Sequence, residues 1–189
     1  MRRRRTITVL LVTVALLLTT VAGVALAMTI INCPSGTTKE DPCKGTRKAE
    51  IILGTNGNDY ILAGRGNDNP RGGDGNDEVH GGRGSDNIYG GPGSDHLYGE
   101  GGNDFNIDGF EGDDVLYGGR GDDYIEDQDG PRFGGPVDVD IVYGGPGVDT
   151  IDVQDGDSND WVCTGGDVGD SVTLDVGDKL DDPAFCPDL

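Results

Sequence analysis

Aromatic side chains are scarce, at 6% of 189 residues, and histidine occurs only twice. A chain so poor in large rings cannot interleave them into a thick core, so it folds as something thin or not at all. Positive charge is also short: 14 Lys+Arg stand against 35 Asp+Glu, for a net charge of −21. Such a polyanion is repelled by nucleic acid and by anionic membrane surfaces, and it attracts cations. No H-E-x-x-H is present, which excludes the usual zinc-protease arrangement. The G-x-S-x-G nucleophile elbow is missing too, since Ser158 has Gly156 two residues before it but Asp160 two residues after. The run Asp155-Gly156-Asp157-Ser158-Asn159 starts like an EF-hand loop, but Asp160 replaces the required glycine and Gly166 stands where the closing glutamate belongs. Glycine is what abounds, at 35 residues.

The N-terminus reads as an export signal. Arg2–Arg5 form a basic segment, Ile7–Ala22 carry no charge, and Ala25-Leu26-Ala27 provide a small-x-small cleavage pattern before Met28. Cleavage there removes four arginines and takes the net charge from −21 to −25. The alternative is an uncleaved anchor, because the apolar run continues to Ile31 and is long enough to span a bilayer. Both readings put the remainder outside the cytoplasm, secreted or associated with the cell surface. Four cysteines suit an oxidising compartment. They fall into two local pairs, Cys33 with Cys43 and Cys163 with Cys186, and the local pairing closes the shortest of the three sets of loops. Each bridge is worth roughly 3 kcal/mol on a loop-entropy account. A thiolate metal site is the other option, but no C-x-x-C spacing supports it.

The chain between these ends is periodic. Asp recurs every nine residues at 59, 68, 77, 86, 95 and 104, and again at 114 and 123 after a one-residue insertion. A glycine precedes each Asp by two, and an aliphatic residue usually follows by two: Ile61, Val79, Ile88, Leu97, Leu116 and Ile125. Most units open with a glycine pair. The unit is G-G-x-G-x-D-x-U-x, with U a large apolar residue. Glycines let the chain turn tightly and aim carbonyl oxygens into a common hollow, where Asp adds a charged oxygen. Carboxylates and carbonyls are hard ligands that suit calcium rather than soft metals. The D-x-U step alternates sides in an extended segment and turns U inward. One buried aliphatic per nine ordered residues is thin compensation for the ordering entropy, and stacked carboxylates repel, so bound metal has to supply folding energy. The reading predicts a disordered metal-free chain that folds when calcium is added.

Clean copies are Gly72–His80 (GGDGNDEVH), Gly81–Tyr89 (GGRGSDNIY), Gly90–Tyr98 (GGPGSDHLY) and Gly118–Glu126 (GGRGDDYIE). This unit resembles the haemolysin-type, or RTX, calcium-binding nonapeptide. The resemblance covers about Gly54 to Asp152. It implies an all-β fold, a parallel β-roll (β-solenoid) in which two nonapeptides make one turn. Asp59, Asp77, Asp95 and Asp114 then line one side, and Asp68, Asp86, Asp104 and Asp123 the other. Adjacent members share calcium ions, giving up to about six sites completed by loop carbonyls, with affinity of about 10⁻⁴–10⁻³ M as in extracellular calcium modules. Asp149, in Gly144–Asp152 (GGPGVDTID), is a further ligand candidate. The organisation expected is a signal peptide over 1–27, a cap or linker over 28–50, the roll over 51–152 with Ile51-Ile52-Leu53 as first strand, and degenerate repeats with a cap over 153–189. Trp161 and a Cys163–Cys186 bridge would close the C-terminal end.

Several positions break the pattern. Pro70 occupies an inward aliphatic position and cannot donate to a ladder, which marks a weak or edge turn. Asn106 replaces another aliphatic, and the extra Asp108 points to a bulge that lets Ile107 take the inward place. Asp127–Val139 reads as a surface loop, after which Asp140-Ile141-Val142 resumes the pattern poorly, because Asp138 stands in place of glycine. Tyr89, Tyr98, Tyr117 and Tyr143 all close their units, and such a row serves either carbohydrate stacking or packing along the roll. The favoured function is a non-enzymatic calcium-folded module, binding no nucleic acid and no membrane after signal cleavage. The alternatives are a secreted hydrolase or toxin-like protein using the loop around Arg132 and Phe133, and a carbohydrate- or ice-binding solenoid. Surface polysaccharide or end-to-end self-association are the partners considered. Many RTX proteins leave the cell through a C-terminal signal, so the N-terminal one here argues against carrying over pore formation.

Overall fold

The computed structural model describes residues 28–127, 139–154, 160–175, 177–181 and 186. The signal segment, the loop over 128–138 with Arg132 and Phe133, and the EF-hand-like run at 155–159 lie outside the described residues. Every regular element among the described residues is a strand. In chain order these are β1 (Thr29–Asn32), β2 (Cys43–Lys44), β3 (Glu50–Leu53), β4 (Tyr60–Arg65), β5 (Asn69–Arg71), β6 (Glu78–Arg83), β7 (Asn87–Tyr89) and β8 (His96–Gly101). The second half continues with β9 (Asn106–Asp108), β10 (Val115–Arg120), β11 (Tyr124–Glu126), β12 (Ile141–Tyr143), β13 (Thr150–Asp152), β14 (Trp161–Cys163), β15 (Ser171–Thr173) and β16 (Lys179–Leu180).

Odd-numbered strands form one parallel sheet and even-numbered strands the other, each in unbroken order. The chain therefore climbs two strands per turn, as a parallel β-roll should. The D-x-U step explains the strand positions. In each unit the glycine loop ends at the buried Asp, the next residue faces out, and the aliphatic points in. Ile88, Ile107, Ile125 and Ile151 stack on one sheet, in register with one another. Ile61, Val79, Leu97, Leu116, Val142 and Val162 stack on the other. All of these aliphatics are fully buried, so the core is one side chain thick from each sheet. β-branched residues dominate because they pack well on a pleated surface.

The ladders reach further than the repeat does. They begin at Thr29, ahead of the expected first strand at Ile51, with β1 pairing β3 residue for residue. They continue past Asp152 through β14, β15 and β16. The segments expected to be caps therefore contribute strands, although the glycine pairs of the repeat are absent or sparse there. Both disulfides form in the local pairing, Cys33–Cys43 and Cys163–Cys186. Pro70 points inward and is buried, but its strand is flanked on both sides and is not an edge. Its missing N–H still shows, since β5 matches β3 over three residues but β7 only through Arg71 and Tyr89. Ile107 takes the inward place, as the inserted Asp108 implies.

Candidate metal centre

The aspartates form two straight files, one on each flank of the roll where the loops turn over. The first runs Asp59, Asp77, Asp95, Asp114, Asp140 and Asp160, and the second runs Asp68, Asp86, Asp104, Asp123, Asp149 and Asp170. Every candidate from the repeat, Asp59 to Asp149, is at most 3% exposed. One hydrogen bond, repeated, builds each file: the backbone N–H of one aspartate donates to Oδ1 of the aspartate a turn later. It measures 2.7 Å from Asp59 to Asp77 and from Asp77 to Asp95, and 2.7 Å from Asp68 to Asp86. It persists across the insertion from Asp104 to Asp123 at 2.9 Å, and from Asp114 to Asp140 at 2.7 Å over a gap of 26 residues.

Oδ1 is thus consumed along the stack, whereas Oδ2 is left over in seven of the aspartates from the repeat. In Asp68, Asp77, Asp86, Asp95, Asp104, Asp123 and Asp149 this oxygen is buried and has no hydrogen-bond partner. Except in the unit of Asp68, which opens with Ala63, it is turned toward the first glycine of its own unit: a Cβ at Gly81 would lie 2.7 Å from Asp86 Oδ2, and a Cβ at Gly72 or Gly90 would press on Asp77 or Asp95. The leading glycine therefore leaves room beside an unsatisfied charged oxygen. Burying a carboxylate without a partner is costly. Burial accordingly drives these groups toward the protonated form, against the opposing pull of the donated N–H. Asp68, Asp77 and Asp149 are raised to about 6, Asp104 to about 7 and Asp95 to about 8. Asp86 and Asp123 are raised for the same reason.

A file of buried, underbonded carboxylate oxygens beside glycine loops fits a divalent cation with a preference for hard oxygen. Among the described residues no three acidic, histidine or cysteine side chains converge. A cation held here draws on loop carbonyls as well as aspartates, which again suits calcium better than zinc. Asp140 and Asp160 belong to the first file, although the sequence reading set Asp140 aside. The D-x-U step at Asp140-Ile141-Val142 was the available signal, and the missing glycine two residues earlier obscured it.

The tyrosine row divides between the two sheets. His80, Tyr98, Tyr117 and Tyr143 stack face to face on the even-numbered sheet, with centroids 4.6–4.9 Å apart. Tyr89 lies on the other sheet, near Arg71 and Phe110. Two units per turn send alternate units to opposite sheets, so one sequence row becomes two. The stacked faces cover one another, which favours packing along the roll over sugar stacking. A family model of the RTX calcium-binding nonapeptide repeat matches the chain in four copies, over residues 45–69, 71–105, 106–130 and 138–160. Among curated proteins none matches.

Proposed function

The chain belongs to the RTX calcium-binding nonapeptide repeat family, and on that premise we propose that it acts outside the cell as a non-enzymatic scaffold whose shape depends on calcium. The observation that carries this reading is the file of buried Oδ2 atoms with no partner. Asp68, Asp77, Asp86, Asp95, Asp104, Asp123 and Asp149 would hold the ions with carbonyls of the glycine loops, joined by Asp114 and Asp140 through their places in the first file. Calcium supplies divalent positive charge that offsets both the burial of the carboxylates and their mutual repulsion. The chain's own part is to fix each carboxylate through the N–H of the acid one turn before, Glu50 for Asp68 and an aspartate for the others, and in the units that open with glycine to keep space clear beside it. An extracellular setting is supported by the basic and apolar N-terminus and by two disulfide bridges. A structural role is supported by the use of the regularly spaced acids within the two files. Circular dichroism with calcium and with chelator tests the reading: a spectrum dominated by coil in chelator that becomes a β spectrum in calcium is expected, and identical spectra would defeat it.

A second reading, adhesion to an acidic surface polysaccharide, is favoured by one observation. Arg47, Arg65, Arg83 and Arg120 occupy the same loop position on one flank and are exposed. Arg65 and Arg83 are register partners, and Arg83 and Arg120 flank Gly101. Among the described residues none of the four makes an ion pair, in a strongly acidic chain. Retention on an acidic glycan that is lost when Arg65, Arg83 and Arg120 become glutamine supports this reading, and equal retention removes it.

A further inference from the structure

The first turn departs from the rest at one repeated position. Thr37, Thr46 and Thr55, spaced nine apart, stand where most later units carry the second glycine of the pair, as at Gly64, Gly73 and Gly82, and where none of the repeat units over 64–145 carries a hydroxyl. Each threonine donates to a carboxylate. Thr55 directs its backbone N–H (2.6 Å) and its hydroxyl (2.8 Å) to Asp59 Oδ2. Thr37, one turn earlier, donates its hydroxyl to Asp59 Oδ1 at 2.8 Å while accepting the N–H of Tyr60 at 2.7 Å. In the other file the acid is Glu50, 1% exposed. Thr46 donates its N–H to Glu50 Oε2 (2.6 Å) and its hydroxyl to Oε1 (2.7 Å).

The contrast with the next turn is direct. Gly73 has no hydroxyl, and its N–H goes to the carbonyl of Gly90 along the stack. Asp77 Oδ2 and Asp68 Oδ2 are left buried and without partners. Both acids at the N-terminal end thus have both oxygens satisfied by threonine. The same turn carries the Cys33–Cys43 bridge, with both sulfurs buried against the column that includes Ile52, Ile61 and Ala63.

From this arrangement we infer that the N-terminal turn is closed by threonine hydroxyls where later turns use calcium, and forms an ion-independent platform on which the calcium-dependent turns stack. Asp59 and Glu50 are structural acceptors rather than ion ligands, and the ion files start at Asp68 and Asp77. This corrects the ligand role expected for Asp59 from its place in the repeat. A parallel roll has a costly first layer, since no finished turn exists for it to pair with. Hydroxyl donors and a covalent bridge supply that layer without waiting for metal.

The inference rests on the reading that the later turns fold with calcium, and calorimetric calcium uptake by the wild-type chain tests that reading separately. Hydrogen exchange on the full mature chain in chelator tests the platform. Amides of residues 29–63 are expected to exchange about tenfold or more slowly than those of 72–127. Thr46→Val with Thr55→Val removes that protection, and Thr46→Ser with Thr55→Ser keeps it. Asp59→Asn leaves the number of calcium ions bound unchanged, whereas Asp95→Asn lowers it. Uniform exchange along the chain in chelator, protection unaltered by the valine pair, or loss of an ion in Asp59→Asn would each overturn the inference.

Discussion

Acid should stand in for calcium. Five of the buried aspartates hold their protons far above the ordinary value of 3.8: Asp68, Asp77 and Asp149 up to about 6, Asp104 to about 7 and Asp95 to about 8. Each binds a proton more tightly folded than unfolded, so protonation favours the folded form. The stability these groups lend is complete below the unfolded value near 4 and is lost as pH rises through 6 to 8. At pH 5 the folded, ion-free chain holds nearly all five protons and the unfolded chain almost none, so folding takes up about four; at pH 7 it takes up about two. The chelated protein is therefore expected to gain β structure as pH falls from 8 to 5, followed by circular dichroism. The calcium midpoint should rise over the same interval, because protons compete for the same oxygens. Any acidic chain compacts somewhat as its charge is titrated. Asp95→Asn separates the two effects: it removes one buried charge, so its ion-free form should be more ordered than wild type at pH 7 while its response to calcium is weaker. A chelated chain equally disordered at pH 5 and pH 8 would refute the claim that buried, underbonded carboxylates are what keeps the metal-free chain open.

Leu97 is fully buried at mid-roll, and Leu97→Ala is expected to cost about 2–5 kcal/mol and to raise the calcium midpoint, whereas Val172→Ala near the end should shift it far less; calcium titration by circular dichroism reads both. Gly84 has φ +146° and packs on the turn before it, where an added methyl would collide with the Gly66 carbonyl oxygen; Gly84→Ala should abolish the folded form in calcium, while Gly57→Ala, with open space at that point, should titrate like wild type. Trp161 is the sole tryptophan and lies under Lys179 Nζ, 3.8 Å from its ring centre; its emission should shift to the blue when calcium is added, and an unchanged spectrum would mean that the C-terminal turn does not order with the rest.

The sequence disclosed much of this architecture because one nine-residue rule sets local conformation, burial and ligand chemistry together. Gly72–His80 and Gly81–Tyr89 can be placed on a turn from their letters alone. Where two constraints separate, legibility fell. Thr29–Asn32 has neither the glycines nor a clear alternation, so it reads as a cap although it pairs with β3. Asp140 has the aspartate and aliphatic without the glycine, so it read as doubtful although it fills its place in the file. On the platform inference, Asp59 departs in the opposite direction. Its unit has the glycine, aspartate and aliphatic in place, and only the threonine at position 55 in the slot of a glycine marks its carboxylate as already satisfied. A ladder of hydroxyl donors is visible in sequence only once the folded phase of the repeat is known. The tyrosines read as one row in the sequence, but a nine-residue period alternates between two sheets, so Tyr89 lies apart while Tyr98, Tyr117 and Tyr143 stack along the roll.

The link from each aspartate amide to the carboxylate one turn on spans 18 residues in the regular stretch, 19 at Asp95–Asp114 and 26 at Asp114–Asp140, without change of geometry. What the protein conserves is the layer, not the count of residues between layers. A gene carrying such units can duplicate or lose a pair of them in frame and still encode a sound stack, one storey taller or shorter. Length is then something a lineage can adjust stepwise, each step adding the same increment of cation capacity and the same increment of reach.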